Sequence, residues 1–386
     1  MMQQGQRFEV LDSFRGLCAL FVVFYHLHVA GSVTELAFFR GSSVFVEFFF
    51  VLSGFVLAHG YAFRADLAFG PYFRARLLRL YPLHLFMLLV FILLEFGKWA
   101  AMEGLGISLN NAAFSNDYAP EGILPNLLLL HAWTPFTNPL SFNTPSWSIS
   151  IEMYMYLLLF LTLLLPRTLR LVTWLLIPIA MFHLMITGSD LLVSPVMRGL
   201  SGFFGGVLCY LVYRRFAASI RPSKTVASLV ECALLFAVVG VVQSEAENRA
   251  LLATMLFYVV VFWFALERGQ LSACLRHPWL QILGRLSYSI YMTHAAVIYL
   301  FTSMFLVLQA ISGLPLMTSV AGVRYFDTGN VVANHLLVAA VTTSVILASL
   351  WTCRHIEERG RRLGVHLARI EVPRSLARKR RLSQSA

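Results

Sequence analysis

The sequence predicts an all-α protein, a polytopic integral membrane helical bundle of about ten transmembrane helices plus one re-entrant or interfacial segment. Of its 386 residues, 58% are hydrophobic and only 13% are charged, whereas a soluble domain carries roughly 25% charged residues. Apolar runs of membrane length recur from one end of the chain to the other, and the mean hydropathy is +0.72. Helices are the expected form of such runs because they satisfy their own backbone hydrogen bonds inside lipid.

Ten apolar runs predict the membrane spans in chain order. They cover residues 11–31, 43–63, 80–102, 147–165, 170–187, 197–213, 226–243, 250–267, 281–305 and 333–353. Residues 123–134 are apolar but too short to span, and the Pro- and Asn-rich stretch after them cannot be a membrane helix. We therefore expect 123–134 to re-enter or lie on the outer face. The predicted domains are a transmembrane domain over 1–356 and a basic tail over 357–386.

The formal net charge of +11 is explained by orientation in the membrane. With the amino terminus in the cytoplasm, the inner loops hold clustered bases and the outer loops hold only isolated ones, so both termini are predicted to be cytoplasmic. The tail segment RSLARKRR (374–381) is expected to contact anionic membrane lipid, and a nucleic-acid partner has little support. The five cysteines lack the spacing of a metal site or a disulfide framework.

The first span carries Asp12, Arg15 and His26 on one face. Arg15 and His26 are eleven residues apart, about three turns, and Asp12 lies within about 40° of the same line. Polar groups are costly in lipid and are rarely kept there without a role. This stripe predicts a pocket that takes an anionic ligand at one membrane face and performs acid–base chemistry roughly 16 Å deeper. The alternative is a histidine that merely hydrogen-bonds a neighbouring helix.

Four ionisable groups are predicted to share the outer half of the membrane, namely His26, Glu47, Glu152 and His294. A carboxylate beside an imidazole raises its basicity and fixes its tautomer, which equips it as a general base. For Glu47 the alternative is a structural pair with a nearby polar group, and for His294 it is an interhelical hydrogen bond.

On the inner face, the loop FRARLLRLYP (73–82) places Arg76 and Arg79 one helical turn apart. Adjacent guanidiniums offer forked donors that match a phosphate. The alternative is the ordinary excess of positive charge in inner loops. Arg15 and Asp12 at the same membrane face favour a ligand site.

At these residues the sequence resembles the acyltransferase 3 family of bacterial multi-pass membrane acyltransferases. Five segments carry the resemblance in order, LDSFRGLCALFVVFYH (11–26), VEFFFVLSGFVL (46–57), RLLRLYP (76–82), SWSISIEMYMY (146–156) and LGRLSYSIYMTH (283–294). The sequence departs from the family pattern at Met153, where a second Glu is frequent, and at His84, where an aromatic is common. Thr293 and Ala296 stand where Trp and Pro are frequent. The extracytoplasmic esterase-like domain that the family often carries is not expected here.

The resemblance implies transfer of an acyl group, most often acetyl, from cytoplasmic acyl-coenzyme A to a hydroxyl. The acceptors it implies are envelope polysaccharides, lipid-linked sugars or other glycosides, and the location is a bacterial inner membrane. Arg76 and Arg79 would dock the coenzyme A phosphates, with Arg15 held by Asp12. No metal is expected, and the formation of a homo-oligomer is left open.

In this scheme His26 would deprotonate the acceptor hydroxyl or carry the acyl group covalently. Glu152, with Glu47, would orient His26 in the manner of a buried carboxylate–imidazole pair, and His294 completes the predicted catalytic set. Acceptor contacts are expected from the motif residues Ser148 and Tyr156 and from aromatic side chains that stack on sugar faces, among them Trp147.

Two other functional classes fit the same composition. Buried His and Glu in ten spans also suit a proton-coupled small-molecule transporter, although paired repeats and matching broken spans are not evident. A sensory or scaffold membrane protein would use the basic tail for docking. Hydrolysis of labelled acyl-coenzyme A would distinguish an enzyme from both.

Overall fold

The computed structural model describes residues 7–64, 67–105, 111–364 and 366–367. Its ten long helices are α1 Glu9–His26, α2 Phe45–Tyr61, α3 Phe69–Leu105, α4 Ser146–Leu163, α5 Arg167–Ile186, α6 Ser194–Phe216, α7 Lys224–Gln243, α8 Arg249–Phe264, α9 Pro278–Ser312 and α10 Val331–Thr352. Short helices are Ala37–Arg40, Ile123–Leu127 and Gln270–Leu275, and strands β1 Met317–Val320 and β2 Val323–Phe326 form an antiparallel hairpin.

Each predicted span coincides with one of the ten long helices, which confirms the all-α membrane bundle. Eight helices in the described part of the chain are long and apolar enough to cross a membrane. The other two are α1, whose 18 residues include Glu9, Asp12 and Arg15, and α8, which has only 16 residues. Both helices pack against longer helices of the bundle, and these contacts position them inside the protein.

The prediction that residues 73–82 form a loop is wrong, because these residues are helical. Helix α3 begins at Phe69 and runs for 37 residues, with Pro82 inside it. Its length of about 55 Å exceeds the roughly 30 Å hydrocarbon core. Arg and Leu are good helix formers, and a proline in a membrane helix is tolerated when neighbouring groups satisfy the freed backbone. Arg76 and Arg79 therefore project from a rigid helix.

Helices α1 and α9 cross at two glycines. A Cβ atom on Gly16 would lie 2.5 Å from the carbonyl carbon of Leu283, and one on Gly284 would lie 2.3 Å from the carbonyl oxygen of Asp12. Small residues allow such close approach where lipid supplies no hydrophobic force between helices. The crossing fixes the start of α1, with Asp12 and Arg15, directly against α9.

Helices α2 and α6 cross in the same way. A Cβ atom on Gly54 would lie 1.9 Å from the carbonyl oxygen of Phe203, and one on Gly206 would lie 2.1 Å from that of Val51. The two backbones are therefore in direct contact. This crossing brings Glu47 in the first turn of α2 and Arg198 in the second turn of α6 to the same level.

The segment before α4 folds into the bundle without crossing it, as predicted. Its only helix in the described chain is the five-residue Ile123–Leu127. The carbonyl oxygen of Leu127 accepts a hydrogen bond from Tyr81 Oη at 3.0 Å, and that of Leu129 accepts one from Ser150 Oγ at 2.6 Å. His131 is buried, and its Nε2 lies 3.1 Å from Ser146 Oγ. Side chains of α3 and α4 thus satisfy the polar backbone of a re-entrant segment.

The end of α1 is held by a cation and by the hairpin. Arg40 donates hydrogen bonds to the carbonyl oxygens of Phe24 and Leu27, the latter at 3.0 Å, so it neutralises the helix carboxyl end. The N–H of Phe326 in β2 donates to the carbonyl oxygen of His28 at 2.9 Å. These contacts fix the position of His26, the last residue of α1. We call this side of the bundle, with residues 27–44, 111–145 and 313–330, the loop end.

Helix α10 continues beyond Thr352. Residues Cys353–Glu357 form one π-helical turn, and the helix then runs on through Gly364. A π-turn inserts an extra residue, and such turns are frequent at functional sites. The predicted boundary between domain and tail at 356/357 therefore falls within a continuous helix. The predicted lipid-binding segment 374–381 lies outside the described residues.

Candidate active site

A cavity of about 580 Å³ enters the bundle from the end opposite the loop end. We call this the basic end, because Arg7, Arg64 and Arg285 lie at the cavity's entrance. Charged side chains of both signs line the cavity, five arginines against three carboxylates, namely Arg7, Arg15, Arg64, Arg79, Arg285, Asp12, Glu152 and Glu357. Its inner part is apolar and aromatic. This gradient suits a ligand with an anionic head and a less polar arm.

Asp12 and Arg15 are brought together as predicted. Asp12 bridges Arg7 and Arg15, with Oδ2 at 2.6 Å from Arg7 Nε and Oδ1 at 3.4 Å from an Arg15 terminal nitrogen. Arg15 also donates to Ser287 Oγ at 2.7 Å and to the carbonyl oxygen of Gly284 at 2.8 Å. The guanidinium is thus fixed in the cavity wall by partners on α9.

Arg79 and Arg76 differ in placement although one helical turn separates them. Arg79 lines the cavity, where it interacts electrostatically with Glu152, Glu357 and Asp12. Arg76 lies outside the cavity lining and donates to Tyr61 Oη at 3.1 Å. Of the predicted phosphate-binding pair, only Arg79 faces the cavity.

Glu357 is a cavity residue that the sequence analysis missed. It lies at the end of the π-turn, and its Oε2 accepts a hydrogen bond from Ser289 Oγ at 2.9 Å. Electrostatic interactions link it to Arg79 and Arg15. The sequence feature that could have identified Glu357 is that it is an acidic residue just beyond the last apolar run. The sequence analysis assigned that region to the basic tail.

Glu152 lies deeper in the cavity. Its Oε1 accepts hydrogen bonds from Ser53 Oγ at 2.7 Å and from Tyr156 Oη. No hydrogen bond or ion pair joins Glu152 to His26 within the described ranges. Tyr156, predicted to bind substrate, is fully buried and acts on the carboxylate instead.

The inner end of the cavity is closed by aromatic side chains. Phe49, Phe50 and Tyr291 line it, and we call these three residues the aromatic layer. The ring centroids of Phe49 and Tyr291 are 5.7 Å apart. Ser148, a predicted substrate contact, also lines the cavity and donates to Tyr291 Oη at 2.9 Å.

His26 and His294 meet behind this layer. Their ring centroids are 5.1 Å apart, and those of His294 and Tyr291 are 6.0 Å apart. His294 is fully buried, its Nδ1 lies 3.3 Å from the carbonyl oxygen of Ile290, and its Nε2 makes no hydrogen bond to any residue that the structure describes. The predicted meeting of the two histidines is present. His26 does not line the cavity and is reached from it through Tyr291 and His294.

Glu47 belongs to a separate group at the loop end. It is fully buried, and its Oε1 accepts a hydrogen bond from Arg198 Nε at 2.6 Å. The Arg198 guanidinium lies 4.8 Å from the ring centroid of Trp147. Glu47 thus has the structural ion pair that the sequence analysis left open as an alternative, and Arg198 was missed because no local motif surrounds it.

No cluster of metal-ligating side chains occurs among the residues that the structure describes. The carboxylates and guanidiniums of the cavity are spaced along its wall, and each carboxylate faces a guanidinium or a hydroxyl.

Comparison with known proteins gives a family match over nearly the whole chain. A family model described as an acyltransferase domain matches residues 8–354. Acyltransferase MdmB of Streptomyces mycarofaciens is 35% identical over 116 residues, which are 30% of this chain and 27% of that protein. Protein 2 in picA locus of Rhizobium radiobacter is 41% identical over 85 residues, 20% of this chain and 41% of that protein. These alignments span less than half of either relative, and no solved structure matches the chain.

Proposed function

The chain belongs to this acyltransferase family and is a membrane acyltransferase; we propose that it moves an acyl group, in the first instance acetyl, from cytoplasmic acyl-coenzyme A to a hydroxyl of a glycan or glycoside. The observation that supports this most directly is the cavity, which is cationic where it opens and whose inner end lies against Tyr291, next to the adjacent rings of His294 and His26. The family match favours an enzyme over the transporter and scaffold alternatives.

The donor would bind with its phosphates at the basic end. Arg79 lines the cavity with no ion pair in the described chain, and Arg64 and Arg285 lie at the entrance. Guanidiniums match phosphate oxygens in pairs, so these three supply the anion site while Arg15 shapes its wall. Arg76 would support the helix from outside the cavity. The excess of basic residues at this end supports a cytoplasmic position for it, with the protein in a bacterial inner membrane.

The thioester would then lie at the inner end of the cavity, against Ser148 and Tyr291. The Tyr291 hydroxyl accepts a hydrogen bond from Ser148, so its own O–H can donate to the thioester carbonyl oxygen, which gains charge during attack. Glu152, fixed by Ser53 and Tyr156, places a negative charge nearby. That charge would stabilise a cation forming on the histidine pair.

The chemical step assigned to His26 is general base catalysis. The acceptor hydroxyl gives its proton to His26, its oxygen forms a bond to the thioester carbonyl carbon, and the carbon–sulfur bond breaks. The departing coenzyme A thiolate receives the proton, and His26 returns to its neutral form. His294, 5.1 Å away between ring centroids, holds the His26 ring in place. Access of the acceptor to His26 is from the loop end, where α1 ends.

The experiment is transfer of label from tritiated acetyl-coenzyme A to cell-envelope glycan in membranes that carry the protein. We expect His26→Ala to lose at least about 100-fold in rate, the usual contribution of a general base. His183→Ala is the matched control, because His183 is an exposed membrane histidine on α5.

Equal amounts of folded protein are established by size-exclusion chromatography in detergent. Full activity of His26→Ala would remove His26 from the mechanism. Absence of transfer by wild type, with no binding of coenzyme A, would contradict the donor assignment and lead to other acyl donors.

A further inference from the structure

Arg198 is a guanidinium at the loop end that two contacts immobilise. It lies in the second turn of α6, its Nε donates to Glu47 at 2.6 Å, and its plane rests on Trp147 at 4.8 Å. The ion pair fixes one edge of the guanidinium and the indole ring fixes its face. Most surface arginines lack such constraints, since their side chains carry large rotamer entropy.

The remaining edge of the guanidinium is available. The terminal nitrogens of Arg198 make no hydrogen bond to the described residues and are not buried, and the side chain is 23% exposed. Glu47, in contrast, is 0% exposed, and its Oε2 has no partner. A buried ion pair with an incompletely satisfied carboxylate is a poor source of stability. The presence of the Glu47–Arg198 ion pair in a membrane bundle is better explained if Glu47 holds Arg198 in position to bind a ligand.

The position of Arg198 relates it to both halves of the proposed reaction. Trp147 is followed by Ser148, which lines the cavity, and its ring centroid lies 5.9 Å from that of Phe50 in the aromatic layer. Tyr291 interacts electrostatically with Arg198, Glu47 and Glu152. On α2, Glu47 precedes Phe49 towards the loop end, and neither Glu47 nor Arg198 lines the cavity. The Arg198 group therefore lies on the far side of the aromatic layer from the cavity.

The cavity and the Arg198 group differ in their balance of charged side chains. The cavity has five arginines against three carboxylates, whereas the single charge of Arg198 is neutralised by Glu47 in direct contact. An acidic ligand at Arg198 would be drawn by the guanidinium but repelled by that carboxylate. Hydroxyl and ring oxygens only need hydrogen-bond donors, which the free edge supplies, and the aromatic surroundings suit the C–H faces of a sugar.

We propose that Arg198, held by Glu47 and stacked on Trp147, binds the acyl acceptor, and that this acceptor is an uncharged, hydroxyl-bearing glycoside. The inference rests on the proposed function, since it places the acceptor on the loop-end side of the aromatic layer. Arg198 is a binding residue in this scheme, and the proton transfer stays with His26.

The test compares acetyl transfer from acetyl-coenzyme A to p-nitrophenyl glucoside and to p-nitrophenyl glucuronide, a pair that differs by one carboxylate. The purified full chain is assayed in lipid nanodiscs. The main variant is Glu47→Gln with Arg198→Gln, because removing both charges together leaves no unpaired buried carboxylate. We expect KM for the glucoside to rise at least tenfold while coenzyme A affinity stays within twofold of wild type. We expect the wild type to prefer the glucoside at least tenfold in kcat/KM.

The matched control is Arg170→Gln. Arg170 also stacks on an indole ring, with its guanidinium 5.5 Å from the centroid of Trp174, but it does not line the cavity or adjoin Trp147. It should leave KM for the glucoside unchanged. An unchanged KM in the double variant would overturn the site while leaving the proposed function intact. Preference of the wild type for the glucuronide would overturn the acceptor class. Transfer to neither glycoside by a wild type that binds coenzyme A would overturn the acceptor site and the glycoside-acceptor part of the proposed function together.

Discussion

Three arginines near the basic end show how the partners of a side chain decide what it can do. Arg15 has its donors occupied by Ser287, the backbone of Gly284 and Asp12. Arg76 stacks and bonds with Tyr61, while Arg79 faces the cavity. Arg76 and Arg79 are the same residue type in the same short segment, so the sequence does not distinguish them. Only the structure shows which is a structural arginine and which can bind a ligand.

Arg15→Lys should destabilise the protein although it keeps the charge. A lysine ammonium cannot reproduce the fork that reaches both Ser287 and Gly284, and an unsatisfied buried partner costs about 1–3 kcal/mol. Asp12→Asn should cost less, because Asp12 is partly exposed and Arg15 keeps its bonds to α9. The measurement is the free energy of unfolding in mixed detergent micelles. Equal losses for the two variants would contradict this ranking.

The stripe of Asp12, Arg15 and His26 was predictable because helical geometry fixes it within one element. The partners of Arg15 were not predictable, since Ser287 and Glu357 lie far away in the chain. Ser287 belongs to the motif segment 283–294, but nothing in that segment indicates contact with Arg15. Glu47 illustrates the limit: its burial and its cost in lipid followed from the sequence, but its pairing with Arg198 depends on the glycine crossing of α2 and α6.

At the scale of elements, the re-entrant segment gains its stability from α3 and α4. Its short length was predictable from the apolar run, but the hydrogen bonds of Tyr81 and Ser150 to its backbone were not. His131 is its most deeply placed titratable side chain. Burial lowers the pKa of His131 to about 3, and the neighbouring His84, whose ring stacks on it at 6.0 Å, lowers that pKa further.

The segment should therefore be acid-sensitive. The pKa of His131 is lower in the folded protein than the ordinary value near 6.5, so protons bind preferentially to the unfolded chain as the pH falls from 6.5 towards 3. The expected loss between pH 6.5 and 5 is at most about 2 kcal/mol. His131→Gln should show a smaller loss of unfolding free energy over this interval than wild type. An identical pH dependence for the two proteins would show that His131 is not kept neutral by the fold.

At the scale of the whole molecule, charge and polarity are distributed along the bundle axis. The basic end carries the arginines of the cavity entrance, and the loop end carries the re-entrant segment, the hairpin and the neutral Arg198–Glu47 pair. That the basic end faces the cytoplasm stays a prediction from the distribution of bases among the loops.

Labelling with a membrane-impermeant maleimide tests that orientation. Cys274 is exposed in the helix Gln270–Leu275 at the basic end, and Ser319 is exposed in the hairpin at the loop end. In intact spheroplasts we expect Ser319→Cys to be labelled and Cys274 to be protected, with the reverse in inverted vesicles. Cys232 is exposed on the apolar helix α7, where membrane lipid would shield it from an impermeant reagent, and it serves as the internal negative control. Labelling of Cys274 in intact spheroplasts would contradict the predicted orientation and indicate the opposite one.

The aromatic layer of Phe49, Phe50 and Tyr291 has a consequence for the cell's energy supply. A pore joining a water-filled cavity to the far surface would let protons run down the membrane potential, each elementary charge losing about 2.3 kcal/mol per 100 mV. Phe49, Phe50 and Tyr291 line the inner end of the cavity. In the proposed reaction the donor reaches this layer from one side and the acceptor from the other, and the acyl group passes where the two substrates meet, so transfer needs no open pore and the bilayer remains an electrical insulator.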